Sequence, residues 1–257
     1  MKGVILAGGL GTRLMPMTRV TNKHLLPVYD RPMIHFPLQQ LVDAGFDEVL
    51  IVTGGEWAGH FLRLLGNGRE FGLRHLHYTY QEGEGGIAAA LALASDFADG
   101  QPVAVLLGDN IFEMPLRGAI EAFRRAPEGA MVLLKDVAHP ERFGVAQFEG
   151  TPEHGRLVRI VEKPAQPPSA WAVTGCYLYD GRVFDWIGDL KPSERGELEI
   201  TDINNRYLEQ GLLRHRLVEG WWTDAGTVAS LLSAAQRVEC AVRAGRFMAP
   251  IGAPELS

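Results

Sequence analysis

Cysteine is scarce in this chain: Cys176 and Cys240 are the only two in 257 residues. Two thiols far apart, each in an apolar or helical setting, exclude a disulfide framework and a cysteine-based zinc site. They fit reduced thiols in a cytoplasmic protein. An excess of positive charge is also missing, since 25 Lys and Arg face 31 Asp and Glu for a net charge of −6. That balance speaks against a general nucleic-acid binder but allows a local basic pocket. No apolar run is long enough to cross a membrane. The run after Met1-Lys2 stops at Gly8-Gly9, too short for the core of a secretory signal, and Arg13 follows. Internal repeats and low-complexity segments are missing too. What remains is ordinary for a globular protein: 46% apolar and 22% charged, enough for one large domain or two small ones.

Glycine is concentrated where it matters. Gly3 to Ala7 is a short apolar run that predicts a buried strand, and Gly8, Gly9 and Gly11 follow it. So bare a loop lets backbone N–H groups approach an anion. Arg13 adds a permanent planar cation, and Lys23 a point charge. The Walker pattern is absent, because Gly11 is followed by Thr12-Arg13. The dinucleotide fingerprint starts at Gly9-Leu10-Gly11 but has Leu14 in place of its third glycine. The glycines alone fit a tight strand-to-helix turn as well as a phosphate cradle. The two cations favour an anionic ligand, such as the phosphates of a nucleotide.

Helix and strand alternate through the first half. Helices are expected over 32–44, 57–65 and 86–97, and strands over 49–53, 75–80 and 102–107. That alternation predicts an α/β fold with a parallel sheet, which binds ligands at the carboxyl ends of its strands. Gly8-Gly9 and Gly108-Asp109-Asn110 fall at such ends. Beyond Phe112 the texture is mixed. Strands are expected over 130–135, 143–148, 157–161, 173–179 and 213–217, and helices over 116–125, 199–210 and 228–242. A proline-rich loop spans 164–168, and the second half is expected to lie against the first. The tail from Pro250 reads as mobile.

Two acids stand at the ends of apolar segments, Asp109 before Asn110 and Asp224 before Ala225-Gly226. Magnesium needs few carboxylates besides phosphate oxygens and water, so the pair would suffice. By spacing alone each reads more readily as a turn or helix cap, Asp224 more so than Asp109. Glu162-Lys163 closes a strand. Strand alternation would send the two side chains to opposite faces, one to accept hydroxyls and one to bind phosphate, or leave them a solvated edge pair. His75 and His77 share a strand face without a third ligand nearby, so they and His35 read as structural. Trp221-Trp222 could stack on a sugar or base, or simply pack. No Ser-His-Asp arrangement is visible. Arg13, Lys23 and Asp109 together suit phosphoryl chemistry, where positioning and charge neutralisation do most of the work.

These segments also carry a resemblance. Gly8 to Thr18 and Asn22 to Ile34 resemble the sugar-1-phosphate nucleotidyltransferases, most closely the short-form glucose-1-phosphate thymidylyltransferases. The likeness continues through Leu107-Gly108-Asp109-Asn110, Phe143-Gly144-Val145, Glu162-Lys163-Pro164, Val173-Thr174-Gly175, Gly196 to Asp202 and Trp222 to Thr227, about the first 235 residues in order. It implies a three-layer α/β/α, Rossmann-like fold with a mixed, mostly parallel sheet and a β-rich sugar-binding insertion. A single domain over 1–240 would divide into a nucleotide half, 1–112, and a sugar-phosphate half, 113–240, followed by a tail over 241–257.

The implied reaction converts dTTP or UTP and glucose 1-phosphate to the nucleotide sugar and pyrophosphate, for deoxysugar or cell-surface polysaccharide synthesis. Leu6, Gly8, Gly9, Gly11, Thr12, Arg13, Gln81, Gly86 and Asp109 would bind the nucleotide, with Gln81 and Gly86 on the pyrimidine edge. Asn110, Gly144, Glu162, Lys163 and Val173 would bind the sugar phosphate. Arg13, Lys23, Asp109 and Lys163 would be catalytic, and Asp109 and Asp224 would hold Mg2+. Neither nucleic acid nor membrane is an expected partner, and a homo-oligomer is compatible with the reading.

The chain departs from the family in three places. Glu82-Gly83-Glu84-Gly85-Gly86 and Ala89 replace proline-containing small residues and a glutamine. Phe143 stands where a tyrosine is common. Longer members add C-terminal helices that form an allosteric site, expected to be reduced here. Three alternatives stay open: another nucleotide and sugar pair, a non-enzymatic nucleotide-sugar-binding subunit, and a dinucleotide-dependent oxidoreductase using Asp30.

Overall fold

The computed structural model describes residues 1–247. The first half runs β1 (Lys2–Ala7), three 3-10 turns (Thr12–Leu14, Met17–Arg19 and Lys23–Leu25), β2 (Pro27–Val28), β3 (Arg31–Pro32), α1 (His35–Asp43), β4 (Glu48–Gly54), α2 (Ala58–Leu65), β5 (His75–Gln81), α3 (Gly86–Ala92), α4 (Ser95–Ala98), β6 (Val103–Leu107) and β7 (Asn110–Phe112). The second half adds α5 (Arg117–Arg125), β8 (Ala130–Asp136), β9 (Gly144–Glu149), β10 (Arg156–Glu162), β11 (Trp171–Tyr179), α6 (Arg182–Gly188), α7 (Ile200–Glu209), β12 (Leu213–Leu217), β13 (Trp222–Asp224) and α8 (Val228–Arg243).

Strands β1, β4 and β6 are apolar on both faces, so each face must be covered. Ile5, Ile51 and Leu106 point into a core shared with Leu38 and Leu41 of α1, Phe61 of α2 and Phe123 of α5. Their neighbours Val4, Val52 and Val105 point the other way, onto Leu91 of α3, Val183 of α6 and Ile203 of α7. Helices thus cover both sides of one sheet in the three layers expected. Full burial of each such side chain is worth about 1.5–3 kcal/mol. A third cluster lies outside the sheet, where Ala234 and Val238 of α8 pack on Val28, Met33, Phe36 and Ile111.

The sheet is mixed and continuous. Its order is β10-β9-β11-β6-β1-β4-β5, with β8 pairing β11 and β12. Pairing is parallel from β6 through β5 and between β8 and β12. It turns antiparallel where β11 meets β6, β8 and β9. The second half therefore extends the same sheet instead of lying against the first. β1 connects to β4 on one side, and the chain later returns as β6 on the other. That reversal opens a crevice at the carboxyl ends of β1 and β6, just where Gly8 and Asp109 begin.

Several local expectations change. The helix over 86–97 divides into α3 and α4, because the chain tightens at Ala94, whose N–H reaches Leu91 O at 2.9 Å. Helix α6 and the short strands β2, β3, β7 and β13 have no counterpart in the sequence reading. Pro37 sits in the first turn of α1, where a missing N–H costs nothing. The tail expected from 241 starts later. α8 continues to Arg243, and Phe247 packs edge-on against Phe36. The segment from Pro250 lies outside the described residues.

Candidate functional site

A cleft of about 590 Å³ opens at the crevice between β1 and β6. Every residue assigned to the site by the family resemblance lines it. Leu6, Gly8, Gly9, Gly11, Thr12, Arg13, Lys23, Gln81 and Gly86 form one wall. Asn110, Gly144, Glu162, Lys163 and Val173 form the other, with Asp109 and Asp224 between them. Asp30 is not among the lining residues. Its carboxylate is held by the Arg31 guanidinium at 2.8 and 2.9 Å, which removes the acid that the dinucleotide alternative requires.

The first wall is made largely of backbone. Gly11 sits at φ +70°, and a Cβ there would lie 2.8 Å from Lys23 Cβ, so the loop folds onto Lys23 only because this residue is glycine. Thr18 Oγ1 ties the loop down by donating to Gly11 O at 3.0 Å. Gly86 has φ +89°, and its missing side chain leaves room for Leu198 O, 2.6 Å from where a Cβ would stand. Gln81 is buried against Gly8 with its amide at the cleft.

Charges converge on the floor. A Cβ at Gly226 would lie 3.1 Å from Arg13 Nη2, 3.4 Å from Asp224 Oδ2 and 3.5 Å from Asp109 Oδ2. Lys23 Nζ donates to Asp109 Oδ2 at 2.6 Å, and Asn110 Nδ2 to Asp109 Oδ1 at 2.9 Å. Burial alone would raise the Asp109 carboxyl, but Lys23 and the Asn110 hydrogen bond hold it well below the usual range. Burial and the Lys23 charge lower the neighbouring His24 to about 3, so its imidazole is neutral. Asp224 behaves oppositely. Burial first, then the Asp109 charge, push it up to about 6 despite Arg142, Arg13 and Lys23. Neither acid is a helix cap, since Thr227 caps α8 and the two carboxylates face cations in the cleft.

The second wall is a side-chain network. Glu162 accepts from Thr201 Oγ1, and Arg195 Nη2 lies 3.4 Å from its other oxygen while also binding Glu199 at 2.7 and 2.8 Å. Gly144 leaves space between them, 3.1 Å from Thr201 Oγ1 and 3.4 Å from Glu162 Oε2 for a notional Cβ. Asn110 Oδ1 accepts from Gly175 N at 2.8 Å and from Trp222 Nε1 at 2.7 Å, locking β7 to β11 and β13. The expectation that Glu162 and Lys163 point apart fails. Lys163 lies just past β10 with φ +40°, and this left-handed turn brings its Nζ to 3.6 Å from Glu162 Oε1. A non-glycine residue in that region carries strain and is typical of functional sites.

Three contributors had no role in the sequence reading, Arg142, Thr201 and Arg195, and a fourth, Trp222, was read there only as a stacking or packing ring. Thr201 and Arg195 sit within or beside Gly196 to Asp202, a segment whose likeness was visible but whose contacts cross to β10. Trp222 packs on Phe143, with ring centroids 5.1 Å apart, and Trp221 stacks on Phe247. The packing reading of the tryptophans holds, with the indole N–H as a positioning group. His35 packs on the Phe71 ring, and burial lowers it to about 4, in keeping with a structural role. His75 and His77 line a separate surface depression. No group of three or more His, Cys, Asp or Glu placed for a metal occurs among the described residues.

Residues 2–240 match the family described as Nucleotidyl transferase. The glucose-1-phosphate thymidylyltransferase of Neisseria meningitidis serogroup A is 46% identical over 242 residues, which cover 93% of this chain and 83% of that protein. That of Xanthomonas campestris pv. campestris is 46% identical over 243 residues, 93% of this chain and 80% of its own length. A solved Bacillus anthracis structure, provisionally named as the same kind of enzyme and complexed with sucrose, superposes with a TM-score of 0.87. It is 50% identical and covers 92% of this chain and 94% of its own. A UDP-glucose pyrophosphorylase bound to UDP-glucose, at 23% identity and a TM-score of 0.79 over 93% and 98%, shares the fold.

Proposed function

The chain belongs to the nucleotidyl transferase family, and from that premise we propose that it transfers a thymidylyl group from dTTP to glucose 1-phosphate. The observation that carries this reading is the convergence of Arg13, Asp109 and Asp224 around Gly226, between a glycine-lined wall and a Glu162-Lys163 wall. One wall suits a triphosphate, the other a sugar phosphate, and the reacting atoms would meet between them. The activity named for relatives at 46% identity supports the same choice.

In the reaction a glucose 1-phosphate oxygen forms a bond to the α-phosphorus of dTTP as the bond to the pyrophosphate oxygen breaks. The attacking oxygen is already anionic, so no general base is required. The barrier lies in bringing two anions together in line. Residues 1–112 would hold the nucleotide and 113–240 the sugar phosphate. The Gly8 to Arg13 loop would direct its N–H groups at the phosphates, and Arg13 and Lys23 would take up the charge of the departing pyrophosphate. Gln81 and the Gly86 backbone would read the pyrimidine edge. Lys163 would hold the sugar phosphate, and Glu162, already oriented by Thr201, would accept hydroxyls of the ring.

Asp109 and Asp224 fit a magnesium ion. They are two near-converging carboxylates, one of them raised partly by the other, at the edge of a space for phosphate oxygens. When bound, such an ion supplies charge neutralisation on the phosphates. Among the described residues no helix is long and apolar enough to cross a membrane. Both cysteines are free, which supports a cytoplasmic location.

The test is a panel of nucleoside triphosphates against hexose 1-phosphates, read as pyrophosphate release with Mg2+. Release with dTTP and glucose 1-phosphate is expected to be fastest. Faster release with UTP would move the reading to a uridylyltransferase. Binding of nucleotide sugars without release from any pair would favour a non-enzymatic subunit.

A further inference from the structure

Resting on the proposed function, we propose that Arg142 is a placeholder cation: it neutralises Asp224 in the free protein and so makes metal binding wait for the nucleotide. Arg142 ends a 3-10 turn, Pro140–Arg142, just before β9. Its Nη2 lies 3.3 and 3.5 Å from the two carboxylate oxygens of Asp224. These distances exceed the 2.7–2.9 Å or so of a tight charge-assisted hydrogen bond. The arginine side chain is 36% exposed and that of Asp224 16%, so the cation sits at the rim with room to leave while the carboxylate stays inside. Beneath it the Phe143 ring supports the guanidinium, 5.5 Å from the ring centroid.

The other carboxylate also faces a cation, but tightly and inside the cleft, where Lys23 holds Asp109 at 2.6 Å. Arg13 stands beside both, against Gly226. Two carboxylates are thus faced by three cations, of which Arg142 is the displaceable one. A bare divalent ion entering here must break the Arg142 contact and add its charge to a site that is already net positive. A triphosphate reverses that balance, because its negative charges answer the arginines and the lysine together. Metal and nucleotide therefore become mutually dependent ligands, linked through one displaceable side chain. An arginine that merely oriented Asp224 would do the opposite, because its loss would loosen a metal ligand.

The experiment uses the full chain, stripped of metal, with Mn2+ as the probe and loss of the free-ion electron paramagnetic resonance signal as the readout. Without nucleotide, Arg142→Gln is expected to bind Mn2+ at least about tenfold more tightly than the wild type, since one fixed charge within a few ångströms has gone. Arg142→Lys should stay near the wild type. The gain in Mn2+ affinity that dTTP confers should shrink in Arg142→Gln. Adding Asp224→Asn should erase the tighter binding. Unchanged or weaker Mn2+ binding by Arg142→Gln overturns the proposal, as does tight binding that survives Asp224→Asn. Arg142→Met provides a second neutral variant, and circular dichroism checks the fold of each. Pyrophosphate release by the wild type, measured separately, tests the reading on which the proposal rests. Its failure would leave the nucleotide-free comparison intact.

Discussion

On the proposed nucleotide wall the groups that face the cleft are chiefly backbone, set by Gly8, Gly9, Gly11 and Gly86, with Arg13 exposed beside them. On the proposed sugar-phosphate wall they are side chains already engaged with one another: Glu162 with Thr201, Arg195 with Glu199, Lys163 beside Glu162. The first wall is shaped by what has been removed, the second by what has been added. A phosphate needs several N–H donors close together, and only bare backbone supplies them. A sugar presents hydroxyls in fixed directions, and only oriented acceptors distinguish them. The two walls should therefore fail differently when altered.

The largest expected effect lies between the walls. Asp109→Asn should lower turnover by about 10²–10³-fold, the cost of losing one charge centre in a transition-state site, while the fold survives by circular dichroism. Full turnover would remove Asp109 from the machinery and leave the walls without a shared floor. Lys163→Ala should reduce kcat/KM for glucose 1-phosphate by about 10²-fold, with the KM for dTTP close to wild type. Equal losses toward both substrates would mean that the walls do not divide the labour. Thr201→Val removes one hydrogen bond to a carboxylate and should cost about tenfold on the sugar side alone. An unchanged KM for glucose 1-phosphate would show that Glu162 needs no orienting.

Gly11→Ala tests the other wall. Its positive φ and the nearby Lys23 Cβ predict destabilisation of about 1–2 kcal/mol and a higher KM for dTTP. A variant of wild-type stability and affinity would show that the loop does not need its bare backbone. The smallest effect concerns pH. Asp224 is raised to about 6 from an ordinary 3.8. Between those values the folded protein binds more protons than the unfolded chain at this position, so Asp224 becomes less destabilising as pH falls. In thermal melts with chelator, the wild type should gain relative to Asp224→Asn between pH 7 and pH 5. A constant difference between the two proteins would mean that Asp224 is not raised.

The contrast also explains what could be read in advance. A backbone-built wall needs glycines at fixed spacing after a strand, so Gly8 to Arg13 is visible in one dimension, and the Arg13 and Lys23 cations tip it from a plain turn to an anion cradle. The layers of the fold were readable for a similar reason, because β1, β4 and β6 are apolar without interruption. The other wall is marked by the likeness of short segments, not by spacing, and its contacts are long-range. Glu162 and Thr201 are separated by 39 positions and meet only when α7 packs on β10. Lys163 was misdirected because strand alternation was carried one residue past the end of β10, where the backbone turns left-handed. Arg142 was invisible because its partner lies 82 residues away. The short strands β7 and β13 escaped notice because three residues carry no periodicity, only a pairing.

That last pairing has a consequence for biosynthesis. β7 and β13 form a two-stranded ribbon in which Asn110 lies opposite Asp224. Trp222 closes it by donating to Asn110, a residue made 112 positions earlier. A ribosome that has finished the glycine loop, the parallel strands and even Lys163 has still not made the second carboxylate or the strand that positions it. Every nascent or prematurely terminated chain up to that point lacks half of the acidic floor. Completion of the proposed acidic floor thus waits for synthesis of the chain past Asp224, and any fragment that ends before it lacks that carboxylate.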